Sequence, residues 1–388
     1  MKSIFLSMLA IATLASCSKE EENPSPPGPQ GEEVIVTLTI GGTQLQSKAA
    51  GTADNDGDKD VKNLSIFGVD PATDVVVSKM YTTSPAGAVG GAKTVTFNTS
   101  TVTKAIYVVA NTSADLTTGG GALNVNTLSA LKQATASLVN GTPAPTQTQG
   151  IVLMSGEAVD LDFTGQAPYT AAVNLNYIGA KIILRKVTRG AGSQGTYNTD
   201  FNLQNVILAN VNTSAYFFKG DQVGGRDSYI SAIAAASLRP AITKVLATGM
   251  AGGGTVVADY NLTWSPAAFA PSAVEENIGY WYVFENDDAT SPTTLLIKYG
   301  WKENKNDQDF KEMYFPVRFV TGDGAPIEPG KAYAVDLTLN GDFRSKDDGG
   351  GGGGGTPDPD APVVNVDVTV TVTPVAWDTQ TSIDKPFN

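Results

Sequence analysis

From residue 364 to residue 372 the chain reads Val-Asn-Val-Asp-Val-Thr-Val-Thr-Val, with valine at every second position and a polar residue between. A strand turns successive side chains to opposite faces, so this pattern predicts a β-strand with one apolar and one wet face. Residues 34–40, Val-Ile-Val-Thr-Leu-Thr-Ile, alternate in the same way: Val34, Val36, Leu38 and Ile40 share one face, Ile35, Thr37 and Thr39 the other. Between these two segments the pattern predicts strands at 63–69 and 74–79, joined by the turn Asp70-Pro71-Ala72-Thr73, then at 93–97, 104–111, 151–154 and 157–163. The segment 104–111 is apolar on both faces and is expected at the centre of a sheet. Residues 171–189 read as one long strand with a bulge at Gly179, followed by strands at 201–210, 255–264, 278–285, 293–299, 313–319 and 331–340. Helical spacing is confined to 127–139, where Leu128, Leu131 and Leu138 fall near one face, and to a short candidate at 227–238.

The fold class expected is mostly β: two antiparallel β-sandwich domains in series, one or two short helices, and the terminal strand as an appendage. The chain has 388 residues, enough for two such domains, and 62 of them are Gly or Pro, which suits a molecule of many turns. The expected segments are 1–16, 17–33, a first domain at 34–167, a second at 168–345, a Gly/Pro linker at 346–362 and a terminal segment at 363–388. Gly349 to Gly355 are consecutive glycines, so the terminal strand hangs on a loose tether and is free to complete the sheet of another molecule.

Charge and composition remove most chemistry. A net charge of -13 argues against nucleic acid, whose phosphates require Lys/Arg clusters. There is no histidine, and Cys17 is the single cysteine. Imidazole–thiolate zinc sites, Ser-His-Asp triads, Cys-His dyads and disulfides are therefore excluded. The adjacent pairs Glu275-Glu276 and Asp287-Asp288 point apart as chain neighbours and make no carboxylate dyad; no catalytic residue, metal site or cofactor is implied. Asp54, Asp56, Asp58 and Asp60 alternate as in a calcium loop, but the glycine and the final glutamate of that loop are out of place, so a solvated acidic loop is expected. The aromatic stretch Tyr280-Trp281-Tyr282-Val283-Phe284 is read as a buried strand; a sugar-stacking surface is the alternative, and with it a surface-anchored glycan-binding lipoprotein.

The N-terminus is an address. Met1-Lys2 is followed by an apolar run over 4–14, too short to span a bilayer, and then by Leu14-Ala15-Ser16-Cys17. This resembles the lipobox of bacterial lipoproteins, which implies removal of residues 1–16, acylation of Cys17 (a palmitate-type anchor) and delivery to the outer membrane. The Pro-rich, polar segment 17–33 then reads as an extended tether.

The layout resembles the major fimbrial subunit (fimbrillin A-like) family of type V pili. The resemblance rests on the lipobox at Cys17, the first strand Val34, Val36, Leu38, Ile40, the polar loop at Lys48, the strand across 173–187, and the terminal strand followed by Pro374-Val375-Ala376-Trp377-Asp378. It implies a stalk subunit of a cell-surface fimbrium that serves adhesion. In that family a trypsin-like extracellular protease removes the first strand, and the terminal strand of another copy fills the vacated slot. Carried onto this chain, the removable segment is 34–48, the cut follows Lys48, and the donor strand presents Val364, Val366, Val368, Val370 and Val372. Minor tip and anchor subunits are implied as further partners. Family members are typically cut after Arg, whereas here no Arg precedes Arg185, so the basic residues on offer in the loop are Lys48 and Lys59. Five donor valines entering a groove would bury roughly 7–15 kcal/mol gross, an upper bound.

Overall fold

The computed structural model describes residues 31–41, 58–88, 91–118, 125–138, 145–165, 167–189, 201–218, 229–230, 261–263, 274–301, 311–321, 325–345 and 364–376. The first half contributes β1 (Glu33–Ile40), β2 (Asn63–Asp70), β3 (Val75–Thr83), β4 (Lys93–Ser100), β5 (Ala105–Ala110), α1 (Leu128–Gln133), β6 (Thr135–Ser137), β7 (Met154–Ala158), β8 (Tyr169–Val173) and β9 (Asn176–Tyr177). The second half contributes β10 (Gly179–Arg189), β11 (Phe201–Ala209), β12 (Val211–Asn212), β13 (Ser214–Tyr216), β14 (Tyr229–Ile230), β15 (Asn261–Thr263), β16 (Val274–Phe284), β17 (Thr294–Trp301), β18 (Lys311–Arg318), β19 (Lys331–Ser345) and β20 (Val364–Ala376).

The mostly-β expectation holds. In the first half a three-stranded sheet, β4-β1-β8, faces a five-stranded sheet, β3-β2-β5-β7-β9. The second half has two four-stranded sheets, β16-β10-β19-β20 and β15-β11-β17-β18. Two pairings, β1 with β8 and β10 with β19, are parallel. β5 lies in the middle of its sheet and is buried along its whole length, as its two-sided apolar sequence requires. Ile106 and Val108 face the three-stranded sheet, whereas Tyr107 and Val109 face a second core shared with α1 and the second half.

Several sequence expectations are corrected. The helix at 127–139 is one short turn of α1: Thr127 caps it, its side chain accepting from the Ala130 amide at 3.1 Å, and Leu128 and Leu131 are buried. Leu138 reaches the same core from the end of β6, which pairs with β13. The strands expected at 151–154 and 157–163 are a single strand, β7. Of the helix expected at 227–238, Tyr229–Ile230 instead form β14, paired with β12, and the rest lies outside the described residues. In the strand expected at 255–264, Asn261–Thr263 form β15 and the remainder lies outside them.

The most consequential correction concerns 171–189. This stretch is three strands, and the first two, which a boundary at 168 assigns to the second domain, pair within the first half: β8 with β1 and β9 with β7. The irregularity in β10 falls between Leu184 and Lys186 and not at Gly179. Gly179 has a different task. A Cβ there would come within 2.8 Å of the Val283 carbonyl oxygen, so glycine allows β10 to start tight against β16.

Candidate functional site

β1 is the middle strand of its sheet. It runs antiparallel to β4 in register from Glu33↔Ser100 to Ile40↔Lys93, and parallel to β8 from Val36↔Tyr169 to Ile40↔Val173. Its burial alternates without interruption: Val34, Val36, Leu38 and Ile40 are buried, and Ile35 stands 64% exposed on the outer face. The four inward side chains pack with Leu64, Ile66, Phe97, Ile106, Val108 and Val173. At about 1.5–3 kcal/mol for each such side chain, β1 supplies on the order of 6–12 kcal/mol of gross burial, an upper bound. Withdrawing it would leave a groove floored by those residues and walled by two unpaired strand edges.

Beyond Gly41 the chain is next described at Asp58, and the segment from there to Lys62 is bound into the body at two points. The Asp58 carboxylate meets Lys181 of β10 and the Tyr282 hydroxyl of β16, and all three side chains are buried. Asp60 meets Lys62, and lies 3.4 Å from Lys93 at the end of β4, whose Nζ also donates to the carbonyl of Ala88 at 2.8 Å. The expectation of a solvated acidic loop is therefore wrong for these two aspartates. Burial acts to raise the Asp60 pKa, but Lys62 and Lys93 outweigh it and hold the carboxyl below its ordinary value. A depressed folded-state pKa stabilises above the unfolded value and is lost as pH falls through the folded one. Asp60→Asn should therefore weaken the fold near neutrality and flatten the acid limb of its stability below about pH 4. Urea unfolding of both proteins from pH 2 to 7 would measure this, and identical acid limbs would remove Asp60 from the account.

The terminal strand is at home. β20 forms the edge of the second-half sheet, antiparallel to β19, with Val372 opposite Val335, Val370 opposite Leu337, Val368 opposite Leu339, Val366 opposite Gly341 and Val364 opposite Ser345. Their β19 partners Val335 and Leu337 are buried. β20 thus has a ladder partner on one side, whereas β1 has one on each.

Cys17 and Lys48 lie outside the described residues, as does the whole linker at 346–362. Trp281 is 4% exposed and offers no face to a sugar, whereas Tyr280 on the same strand is 39% exposed. Among the described residues no group of His, Cys, Asp or Glu could hold a metal ion, and no helix is long and apolar enough to cross a membrane.

Sequence reasoning missed β8 as the second wall of the β1 slot. A signal was present: after Val173 the residues Asn174 and Asn176 interrupt the apolar run and mark a break. It also missed Lys93 and Lys181 as the partners of Asp60 and Asp58.

The fold recurs in known proteins. A crystal structure of a candidate cell adhesion protein from Bacteroides eggerthii is 27% identical, with a TM-score of 0.67, covering 91% of this chain and 98% of its own. A fimbrilin from Porphyromonas gingivalis, at 17% identity and a TM-score of 0.58, covers 89% of this chain and 99% of its own, and shows the same fold. So does a candidate cell adhesion protein from Parabacteroides distasonis, at 16% identity and a TM-score of 0.53 over 89% of this chain and 97% of its own. No curated protein matches the sequence. The family profile for the C-terminal domain of the FimA-like major fimbrial subunit protein matches residues 180–377, from the start of β10 through β20 and just over half of the chain. The chain therefore belongs to the FimA-like major fimbrial subunit family, and is a subunit of a cell-surface fimbrium.

Proposed function

We propose that this protein is a stalk subunit that polymerises by strand replacement: proteolysis releases β1, and β20 of a second copy enters the vacated slot. The observation that carries this reading is the position of β1. An alternating strand buried on one face and paired on both sides leaves, when lost, a groove of the right length and period for another alternating strand. Head-to-tail donation does not close on itself and so yields a filament.

The trigger belongs to the segment between β1 and Asp58. Lys48 is the single Lys or Arg from residue 42 to residue 57. Lys59 sits between two buried, ion-paired aspartates, an arrangement that disfavours the extended fit a protease needs. A trypsin-like extracellular protease would therefore cut after Lys48. Before that cut, acylation of Cys17 holds the precursor on the outer membrane; afterwards the folded body is free of the lipid and joins the extracellular fimbrium. Minor tip and anchor subunits would start and end the filament.

Cleavage is needed because β1 fits its slot better than β20 does. Whichever in-phase register β20 takes, valine replaces Leu38 and Ile40, one methylene short at each position and about 0.8 kcal/mol weaker per methylene. β1 is also tethered, so the exchange is uphill until its covalent link is broken.

Treating the purified precursor with trypsin tests this directly. A new N-terminus at Ala49 with SDS-resistant ladders is expected, and Lys48→Gln should give neither. A protein that stays intact and monomeric, or is cut first at Lys59, would count against the scheme.

A further inference from the structure

The Asp58–Lys181 pair has the geometry of a reaction as well as of an ion pair. Lys181 Nζ lies 2.9 Å from Asp58 Oδ2, and the two side chains are 1% and 0% exposed. The Tyr282 hydroxyl donates to the other carboxylate oxygen, Oδ1, at 2.5 Å. The rings of Tyr280 and Tyr282 stand 4.4 and 5.3 Å from Nζ. On the strand itself the flanking residues Ala180 and Ile182 are fully buried. Lys181 Nζ is thus one hydrogen bond from a carboxylate oxygen, and both side chains are shut off from water.

We propose that Asp58 and Lys181 condense into an intramolecular amide, with Tyr282 as the catalytic residue that polarises the carboxyl group.

The step balances without any co-reactant. One proton passes from the Lys181 ammonium to Oδ2 of the carboxylate, giving a neutral amine beside a carboxylic acid. Nζ attacks Cγ, and negative charge develops on Oδ1, where the Tyr282 hydroxyl already donates. The tetrahedral carbon then collapses: the Cγ–Oδ2 bond breaks, Oδ2 takes a second proton from nitrogen and leaves as water. An ammonium and a carboxylate become an amide and one water, with no change of oxidation state. Burial and the nearby Asp58 charge push the Tyr282 pKa far up, so its hydroxyl keeps its proton throughout. Effective molarities of about 10⁵–10⁸ M for well-oriented groups supply the drive that dilute acid and amine lack. The product also removes the cost of holding two charges out of water.

The amide would tie residue 58 to a strand 123 positions away. If the strand-replacement reading holds, it lies on the load path: β20 hangs from β19, β19 pairs with β10, and Lys181 of β10 would be bonded to the segment that leads into β2 beside the slot. The condensation itself does not depend on that reading.

Peptide mapping of the full chain, folded, then denatured and digested with trypsin, tests the proposal. An amide at Lys181 blocks cleavage there, so the expected product is branched, joining residues 49–59 to residues 133–185 with the loss of one water. Intact mass alone is insufficient, because Asp56-Gly57 can lose water by ring closure; fragmentation of the branched peptide places the bond. Tyr282→Phe should lower the branched yield at least about tenfold at equal times after folding. Lys181→Met should abolish it. Recovery of linear 49–59 and 133–181 in full yield from the folded wild-type chain would overturn the proposal, and an undiminished yield in Tyr282→Phe would overturn the role of the tyrosine.

Discussion

Truncation after residue 362 is expected to leave a folded monomer that builds no fibre. β20 is an edge strand with β19 as its ladder partner, so its removal strips one side of one sheet. The buried residues of β19, Ala332, Tyr333, Val335 and Leu337, retain β10 beside them. The donor is nevertheless absent, so trypsin should still generate the Ala49 terminus without SDS-resistant ladders following. Val368→Asp gives the same expectation with the chain intact. A carboxylate at the central position of the donor would have to enter a groove whose floor is fully buried, at a cost of several kcal/mol. Circular dichroism and gel filtration would report the fold, and electron microscopy the fibres. Fibres of normal length from either variant would end the donor role of β20.

The two strands at the heart of this scheme were legible because alternation is local. The phase of Val34, Val36, Leu38 and Ile40 fixes which side chains are buried, and β5 declares its central place by being apolar on both faces. The neighbours of a strand are not local. β1 lies against β8 across more than a hundred residues in a parallel pairing that no turn announces, and β8 looks in sequence like the start of β10. Asp58 and Asp60 were misread for the same reason. Their run of Asp, Asn and Gly has the composition of a solvated loop, while their partners Lys93 and Lys181 sit 33 and 123 positions away. Helix length failed for a third reason. Residues 134–137 keep the helical spacing of the leucines, but pairing of β6 with β13 outweighs the helix propensity of Ala134 and Ala136.

The home pairing of β20 sharpens the energetics of assembly. In the proposed exchange the donor strand would leave a one-sided ladder on β19 and gain a two-sided one between β4 and β8. An unpaired edge on β19 is the cost, and closure of two edges in the acceptor is the return. Parking at home also keeps an alternating, valine-rich strand from pairing indiscriminately before a slot is open.

Leu38→Ala separates the precursor from the fibre. Leu38 is fully buried at the centre of β1, opposite Val95 on one side and Ala171 on the other, and it packs in the core between the two first-half sheets. Truncating such a leucine costs about 2–5 kcal/mol, the transfer term plus the cavity left behind. The uncleaved precursor should lose that much in urea unfolding. Under the proposed scheme a fibre assembled after cleavage would no longer contain β1, so its resistance to heat and SDS should match that of the unsubstituted protein. Without protease the uncleaved Leu38→Ala precursor should form no ladders, like the unsubstituted one, because β1 remains tethered. If its fibres are weakened as much as its precursor, β1 stays in the assembled subunit, and the slot is never emptied.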